Sequence, residues 1–316
     1  TEMLDYFGPV QVALRNLFGW TGVEDYWFPE IRSLGGAALM LLLVLYPYVY
    51  LLARVAFLEQ SVCTMEASRS LGCSPWRSFF TVALPLARPA IMAGLALALM
   101  ETLNDLGTVE YFGVNTFTTG IYRTWLGMGE RSAAAQLAAF LMIFVLILIV
   151  LERRSRSAAQ YYERSSSIKK IVPFQLNPGH SLGALIACLL PVIFGFIIPG
   201  GYLLQLTLNN LDSSFDADFR DLAQHSFTLA SITAIAAMVI SLLMAYGQRL
   251  EPNWLMKTAV RISAMGYAIP GSVIAVGVLI PVAGLDNLID HWMRSTFNIS
   301  TGLLLSGTIF SLLFAY

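Results

Sequence analysis

Charged residues are scarce in this chain: they make up 12% of its 316 residues, while 57% are hydrophobic and the mean hydropathy is +0.67. A soluble domain carries about 25% charged residues. The 19 basic and 20 acidic residues leave a net charge of −1, so no overall field attracts polyanions. This scarcity and balance of charge exclude a soluble enzyme, a disordered chain and a nucleic-acid binder, and they indicate an integral membrane protein with several spans in the lipid bilayer.

Residues for metal and cofactor chemistry are also few. The three cysteines form no C-x-x-C pair and the three histidines lie far apart, so we expect neither a disulfide framework nor a metal site. The chain contains no Gly-Lys pair and therefore no P-loop, and it has no H-E-x-x-H motif. We expect no enzyme activity and no cofactor bound by this chain.

The ends of the sequence have their own features. Residue 1 is Thr and no basic n-region precedes a short apolar stretch, so we expect no signal peptide. The last apolar run continues to Tyr316. This pattern is typical of an excerpt from a longer protein.

Long apolar runs are what the chain has in abundance. A bilayer core of about 30 Å needs roughly 20 mostly apolar residues in helical form. Seven runs meet this length: 36–58, 89–107, 134–151, 181–205, 226–247, 261–283 and 301–316. Pro270-Gly271 predicts a break in the sixth run, and Pro47 and Pro191 predict weaker irregularities. The predicted fold is therefore an all-α polytopic membrane protein with about seven visible spans.

The loops between these runs alternate in charge. Segments 52–88, 152–180 and 248–261 together hold 13 of the 19 basic residues, and each has a net positive charge. Basic loops remain in the cytoplasm by the positive-inside rule. We therefore expect these three segments in the cytoplasm and residues 1–35 outside it.

One cytoplasmic loop, residues 59–88, has a distinctive pattern. Residues 59–71 predict a helix that Gly72 ends, since glycine readily adopts the left-handed conformation of a helix stop. Ser74 is then a good N-cap and Pro75 a good first residue for a second helix. This helical hairpin suits docking to another protein, although an amphipathic hairpin resting on lipid headgroups would have the same pattern.

The spacing of this loop resembles the EAA loop of binding-protein-dependent ABC importer permeases, a family with the MetI-like fold. Glu66-Ala67-Ser68 precedes Gly72 by three residues, and Val82-Ala83-Leu84-Pro85 follows after nine more; Ser68 and Val82 depart mildly from the family's Ala and Ile. The resemblance implies a multi-pass protein of the bacterial inner membrane that works with two copies of a separate ATPase and with a periplasmic binding protein. ATP would be used by the ATPase. The residues implied in coupling are Glu66, Ala67, Ser68, Gly72, Leu84 and Pro85.

The same resemblance implies a domain organisation. Some of these permeases fuse two homologous halves of six spans each. Residues 1–35 would be a periplasmic segment, 36–151 the last three spans of the first half, 152–180 a basic linker and 181–316 the first four spans of the second half. A second EAA loop is expected shortly after Tyr316.

Acidic residues within one predicted span indicate a transport path. Glu101 and Asp105 have i, i+4 spacing in run 89–107, with Asn104 beside them. Each carboxylate at the bilayer centre costs roughly 2.5–3.5 kcal/mol, so this face is expected to line a wet or cationic path. The alternative is that both lie near the outer interface and reach water. Glu110, Tyr111 and Tyr122 are weaker periplasmic candidates, because their oxygens suit hard cations.

The cargo is indicated only by resemblance. Residues 100–125, METLNDLGTVEYFGVNTFTTGIYRTW, together with 26–36 and 266–281, are similar to fused permeases of ferric-iron importers. Permeases for thiamine, polyamines, sulfate or phosphonates share the EAA loop, so they remain alternatives. An ion-coupled secondary transporter using Glu101 and Asp105 as a proton relay is a further alternative.

Overall fold

The computed structural model describes residues 2–157, 176–211, 216–251 and 253–306, together with residues 308, 311 and 315. This described part is helical and contains no strand, which confirms the all-α prediction. The chain divides into two compact units. One unit comprises residues 1–120 and 146–199, and the other comprises 121–145 and 200–316.

Helices account for nearly all of the regular structure. In chain order they are α1 (Pro9–Phe18), α2 (Leu34–Glu59), α3 (Val62–Ser70), α4 (Pro75–Asn104), α5 (Gly107–Tyr111), α6 (Phe117–Tyr122), α7 (Arg131–Ser157), α8 (Pro178–Asn209), α9 (Ala217–Leu250), α10 (Trp254–Ala264) and α11 (Gly271–Phe297). Six helices within the described residues are long and apolar enough to cross a bilayer: α2, α4, α7, α8, α9 and α11. The first five of these helices correspond to the first five predicted runs.

The sixth predicted run, 261–283, is not one span. Helix α10 ends at Ala264, a single 3₁₀ turn covers Gly266–Ala268, and α11 begins after Pro270. The predicted break is confirmed, because proline has no N–H to continue a helix. The spanning helix is therefore α11, which continues to Phe297, beyond the end of the predicted run at residue 283.

Two other predictions fall wholly or partly outside the described residues. Of the predicted seventh span, 301–316, seven residues lie outside the described part, and residues 298–303 are not helical. Residues 158–175 of the predicted linker also lie outside it. The number of spans after α11 and the role of the linker stay predictions.

Close packing of α2 against α4 organises the first unit. Between Leu84 and Asn104, the buried residues of α4 are small: Ala87, Ala93, Gly94 and Ala96. A Cβ atom on Gly94 would lie 2.7 Å from the Cα atom of Val49 and 2.9 Å from the Tyr48 carbonyl oxygen. Small residues allow membrane helices to approach until their backbones touch, which gains van der Waals contact without a hydrophobic driving force. This contact holds α4 against α2 midway along the helix.

The proline residues within the spans differ in the helical irregularities that accompany them. Pro47 lies inside α2 without ending it. Pro191 in α8 lies two residues before a π-helical turn, Ile193–Ile197, and another π turn, Phe79–Ala83, ends two residues before Pro85 in α4. Such single-turn π bulges accommodate local strain in a helix. The irregularity in α4 lies at the junction between the predicted hairpin and the span.

Candidate functional site

The turn of the predicted hairpin has the geometry that the sequence indicated. Gly72 has φ +85°, in the left-handed region. The Cys73 N–H donates to the Ser68 carbonyl oxygen at 3.1 Å, and the Gly72 N–H donates to the Arg69 carbonyl oxygen at 2.9 Å. These two bonds form a Schellman motif, which satisfies carbonyls at the end of α3. A residue with a Cβ atom at position 72 would be strained in this backbone conformation.

The second helix of the hairpin begins as predicted. The Ser74 hydroxyl accepts a hydrogen bond from the Arg77 N–H at 3.4 Å, and Pro75 occupies the first helical position. At the other end of the π turn, the Gln60 side-chain amide donates to the Ala83 carbonyl oxygen at 2.7 Å. Because Gln60 directly follows α2, this bond connects the ends of two spans at the base of the hairpin.

Two serines hold the hairpin closed from inside. The hydroxyl oxygens of Ser68 and Ser78 lie 2.5 Å apart, and both residues are buried. Ser68 also donates to the Met65 carbonyl oxygen at 2.8 Å. Ser68, the departure from the family's alanine, therefore makes a specific contact between α3 and α4. Ser78 was missed by the sequence analysis, because only the fold brings it to Ser68.

The opposite side of the hairpin is exposed. Five exposed residues form this side, which we call the docking face: Glu66, Ala67, Leu71, Gly72 and Trp76. Leu71 has 85% and Trp76 has 74% of its surface accessible. Trp76 also packs against the rings of Phe79 and Phe80. Apolar side chains that are exposed at a small-residue turn can insert into a groove on a partner. Of the remaining predicted coupling residues, Leu84 is half-buried and Pro85 is exposed.

A polar cavity lies near the opposite end of α4. Its volume is about 400 Å³, and it is lined by Met40, Leu41, Val44, Leu45, Glu101, Asn104, Asp105, Leu106 and Thr108. The three residues predicted for the path are thus brought to one cavity between α2 and the end of α4. Four of the five apolar lining residues come from α2, so the polar groups of the cavity lie on its α4 side.

The two acids of this cavity have different environments, which corrects the prediction that they share a helical face. Helix α4 ends at Asn104, and Asp105 has an extended backbone with ψ 129°. The Asp105 carboxylate accepts hydrogen bonds from the Thr108 hydroxyl at 2.9 Å and the Val109 N–H at 3.0 Å. Asp105 therefore stabilises the start of α5, as an acidic residue at a helix N-terminus does. Glu101 remains on α4, half-buried at the cavity wall.

The weaker periplasmic candidates do not join Glu101. Neither Glu110 nor Tyr111 lines the cavity. The Arg32 guanidinium lies 5.3 Å from the centre of the Tyr111 ring and forms an ion pair with Asp5 at 2.9 Å. Tyr111 thus contacts the segment before α2. Tyr122 belongs to the other compact unit.

No group of three or more histidine, cysteine, aspartate or glutamate side chains within the described ranges could hold a metal ion.

In the segment before α2, the backbone N–H groups of Gly22 and Thr21 each donate to the Asp25 carboxylate at 2.8 Å and hold the pKa of Asp25 below its usual value. This carboxylate is a structural acceptor.

Two further acidic residues, Asp286 and Asp290, were not identified from the sequence. The Asp286 carboxylate is fully buried and accepts hydrogen bonds from the Ser306 N–H at 2.8 Å and the Ser306 hydroxyl at 2.6 Å. One helical turn later, Asp290 accepts from the Thr301 and Gly302 N–H groups. These side chains satisfy backbone donors of a non-helical segment beside α11, which lipid could not do. Their i, i+4 spacing was the available signal.

A short motif at the start of α8 has the pattern of a hydrolase nucleophile elbow. Residues 179–183, Gly-His-Ser-Leu-Gly, match the form G-x-S-x-G. That elbow requires a strand-to-helix turn, whereas these residues lie in the first turns of α8, which begins at Pro178. The pentapeptide is therefore ordinary helix.

Comparison with known proteins agrees with this architecture. Residues 9–156 match the family described as binding-protein-dependent transport system inner membrane component. The molybdenum transport system permease protein ModB of Escherichia coli K12 is 32% identical over 155 residues, covering 46% of this chain and 66% of that protein. The Fe(3+)-transport system permease protein FbpB 2 of Haemophilus influenzae is 24% identical over 266 residues, covering 81% of this chain and 50% of that protein.

A second ferric permease extends the similarity. The ferric transport system permease protein FbpB of Actinobacillus pleuropneumoniae is 23% identical over 298 residues, or 89% of this chain and 43% of its own length. This chain thus spans between about two fifths and two thirds of the relatives described. No solved structure matches significantly.

The six apolar helices in the described ranges are those of a multi-pass protein of the inner membrane, and the match to this family agrees with the MetI-like fold. Residues 9–156 are thus similar to the family of binding-protein-dependent transport system inner membrane components, and over most of its length the chain is similar to the ferric permeases.

Proposed function

We propose that this chain is part of the permease of an ATP-driven importer that takes up ferric iron delivered by a periplasmic binding protein. In this proposal a separate ATPase, in two copies, binds the docking face and hydrolyses ATP. The observation that most supports this proposal is that α4 has the hairpin at one end and the polar cavity at the other. At 1.5 Å per residue, a helix of 30 residues is about 45 Å long, enough to connect the two faces of a bilayer.

The hairpin geometry supports a coupling role. Force applied at Glu66 or Gly72 would reach α4 through the buried Ser68–Ser78 contact and through Gln60 at the base of the hairpin. The serine contact joins α3 to α4, the Gln60 bond joins the end of α2 to α4, and such contiguous contacts can carry coupling between distant sites. The docking face would thereby move the span that carries Glu101.

The proposed cargo rests on coverage and on charge. Similarity to the ferric permeases covers 81% and 89% of this chain, whereas similarity to the molybdenum permease covers 46%. The cavity is lined by two carboxylates and by no basic side chain. Two unit charges 4 Å apart interact by about 4 kcal/mol at an effective dielectric constant of 20. These carboxylates would attract a hard cation and repel an oxyanion.

Coupling is tested by two variants of the docking face. Glu66→Arg and Gly72→Val should leave membrane insertion intact and reduce ATP-dependent uptake at least tenfold, with Ser70→Ala as the exposed control. The measurement is uptake of radioactive iron by a strain that lacks its own copy of the gene, together with copurification of a P-loop ATPase. Normal uptake by both variants would contradict the docking assignment, and absence of any copurifying ATPase would favour an ion-coupled transporter.

The cargo is tested by growth on limiting metal. Deletion of the gene should slow growth on limiting ferric iron and leave growth on limiting molybdate unchanged. In the complemented strain, Glu101→Gln should reduce iron uptake by about 10-fold or more, because it removes a charge from the cavity without changing side-chain shape. A molybdate-specific defect would overturn the iron assignment while leaving the importer assignment intact.

A further inference from the structure

Helix α10 (Trp254–Ala264) is too short to cross a bilayer. Its 11 residues extend about 16 Å, roughly half of a hydrocarbon core of about 30 Å. Two spanning helices flank it, since α9 ends at Leu250 and α11 begins at Gly271. Because both ends are attached to spans, α10 must lie close to the membrane surface, on the side that the positive-inside rule assigns to the cytoplasm.

One side of α10 packs against the preceding span. Met256 and Val260, four residues apart, are half-buried. The Met256 methyl carbon lies 2.9 Å from the position that a Cβ atom on Gly247 would occupy in α9. This contact identifies the side of α10 that the fold of the second unit uses.

A different side of α10 exposes large apolar residues. Trp254, Leu255 and Ile262 have 72%, 58% and 65% of their surfaces accessible. With about 100° per residue, Leu255 and Ile262 lie within about 20° of each other around the helix axis. Lipid or another protein must cover such side chains, since water would not favour them.

Two basic residues lie beside this apolar side. Lys257 and Arg261 are exposed and four residues apart, and neither forms an ion pair with another side chain in the described ranges. Around the helix axis Trp254 lies between these cations and the pair formed by Leu255 and Ile262. Helices at a membrane interface have this order, with cations at the headgroups, tryptophan at the boundary and aliphatic residues in the acyl chains.

We propose that α10 is an interfacial helix that binds anionic phospholipid headgroups of the cytoplasmic leaflet through Lys257 and Arg261. Charge complementarity favours lipid as the occupant, since this leaflet is negatively charged and segment 248–261 carries a net positive charge. The attachment of α10 to spans at both ends keeps it at headgroup depth. The proposal is independent of the transported cargo and of the ATPase.

The test measures which lipid touches α10. The purified full chain, with Cys63, Cys73 and Cys188 changed to Ser and with Thr258→Cys labelled by an environment-sensitive fluorophore, is placed in nanodiscs of phosphatidylcholine and phosphatidylglycerol at 7:3. In separate samples either the phosphatidylglycerol or the phosphatidylcholine carries a quenching nitroxide near the top of its acyl chain. We expect stronger quenching per labelled lipid from phosphatidylglycerol, by about fivefold for each basic residue.

Variants separate charge from structure. Lys257→Gln with Arg261→Gln should abolish the preference while leaving some quenching by both lipids. The charge-conserving pair Lys257→Arg with Arg261→Lys should keep the preference, and Arg220→Gln, at the other end of α9, should not change it. Equal quenching by both lipids in the unaltered helix would overturn headgroup binding. Absence of quenching would show that protein covers α10, and this would overturn the proposal entirely.

Discussion

The buried contact between Ser68 and Ser78 allows a quantitative test of the hairpin. In Ser68→Ala the Ser78 hydroxyl, with 1% of the residue accessible, loses its oxygen partner; the Met65 sulfur, a weak acceptor 3.8 Å away, remains. A buried polar group without a partner costs about 1–3 kcal/mol. In Ser78→Ala, by contrast, Ser68 still donates to the Met65 carbonyl oxygen. We therefore expect Ser68→Ala to destabilise the hairpin more than Ser78→Ala does.

The assay is hydrogen–deuterium exchange of peptides that cover residues 62–79, because the hairpin can open without unfolding the spans. A cost of about 1–3 kcal/mol corresponds to about 5- to 150-fold faster exchange of the Cys73 amide. The double variant should exchange more slowly than Ser68→Ala, since it has no orphaned hydroxyl. Ser70→Ala, whose hydroxyl is exposed, is the control and should change exchange by less than about threefold.

Two results would refute this reasoning. If Ser68→Ala exchanges no faster than the Ser70→Ala control, the buried bond does not close the hairpin. If the double variant exchanges as fast as Ser68→Ala, the loss comes from packing and the orphaned Ser78 hydroxyl has no part in it. Each result is independent of transport activity.

Further predictions concern the rest of the chain. Gly94→Leu should separate α2 from α4 and lower the thermal unfolding midpoint, because its Cβ atom would lie 2.7 Å from the Val49 backbone. The control Leu95→Ala, at an exposed position, should have little effect on this midpoint. Equal effects of the two variants would contradict the close approach of the helices. Asp286→Asn should accelerate labelling of a cysteine at position 306, since a neutral amide accepts more weakly from the N–H groups there; unchanged labelling would contradict this role. Below pH 4, protonation of Asp25 should loosen the Thr21–Asp25 turn, because a carboxylate with a lowered pKa contributes stability that is lost as pH falls through that pKa. The measurement is the hydrogen-exchange rate of the Gly22 amide, corrected for its intrinsic pH dependence. This rate should rise more in the unaltered chain than in Asp25→Asn.

Predictions from sequence succeeded where the interactions are local. The helix stop at Gly72, the N-cap at Ser74 and the break at Pro270 each depend on residues within one turn, and all three are confirmed. The positions of the first five predicted runs also agree with spanning helices, because length and apolarity alone make a helix compatible with lipid.

Predictions failed where a residue's role depends on distant contacts. Glu101 and Asp105 have ideal spacing for one helical face, but α4 ends between them and the Asp105 carboxylate binds the start of α5 instead. Run 261–283 has enough apolar residues for a span, but the span begins only after Pro270. Composition does not show that α4 ends at Asn104, because this end depends on the Asp105 carboxylate accepting a hydrogen bond from the Val109 N–H at the start of α5.

The sequence by itself determined that this chain is a helical membrane protein with a helical hairpin at residues 62–78, because hydropathy and capping act over short distances; the likeness of that hairpin to an EAA loop is a resemblance. Only the tertiary structure decided that Ser68 pairs with Ser78, that Gly94 lets α2 and α4 touch, and that Glu101, Asn104 and Asp105 line one cavity. The physical reason is the same for each. A buried polar group or a close backbone approach is favourable only when its partner is in place, and the fold supplies partners that spacing along the chain cannot reveal.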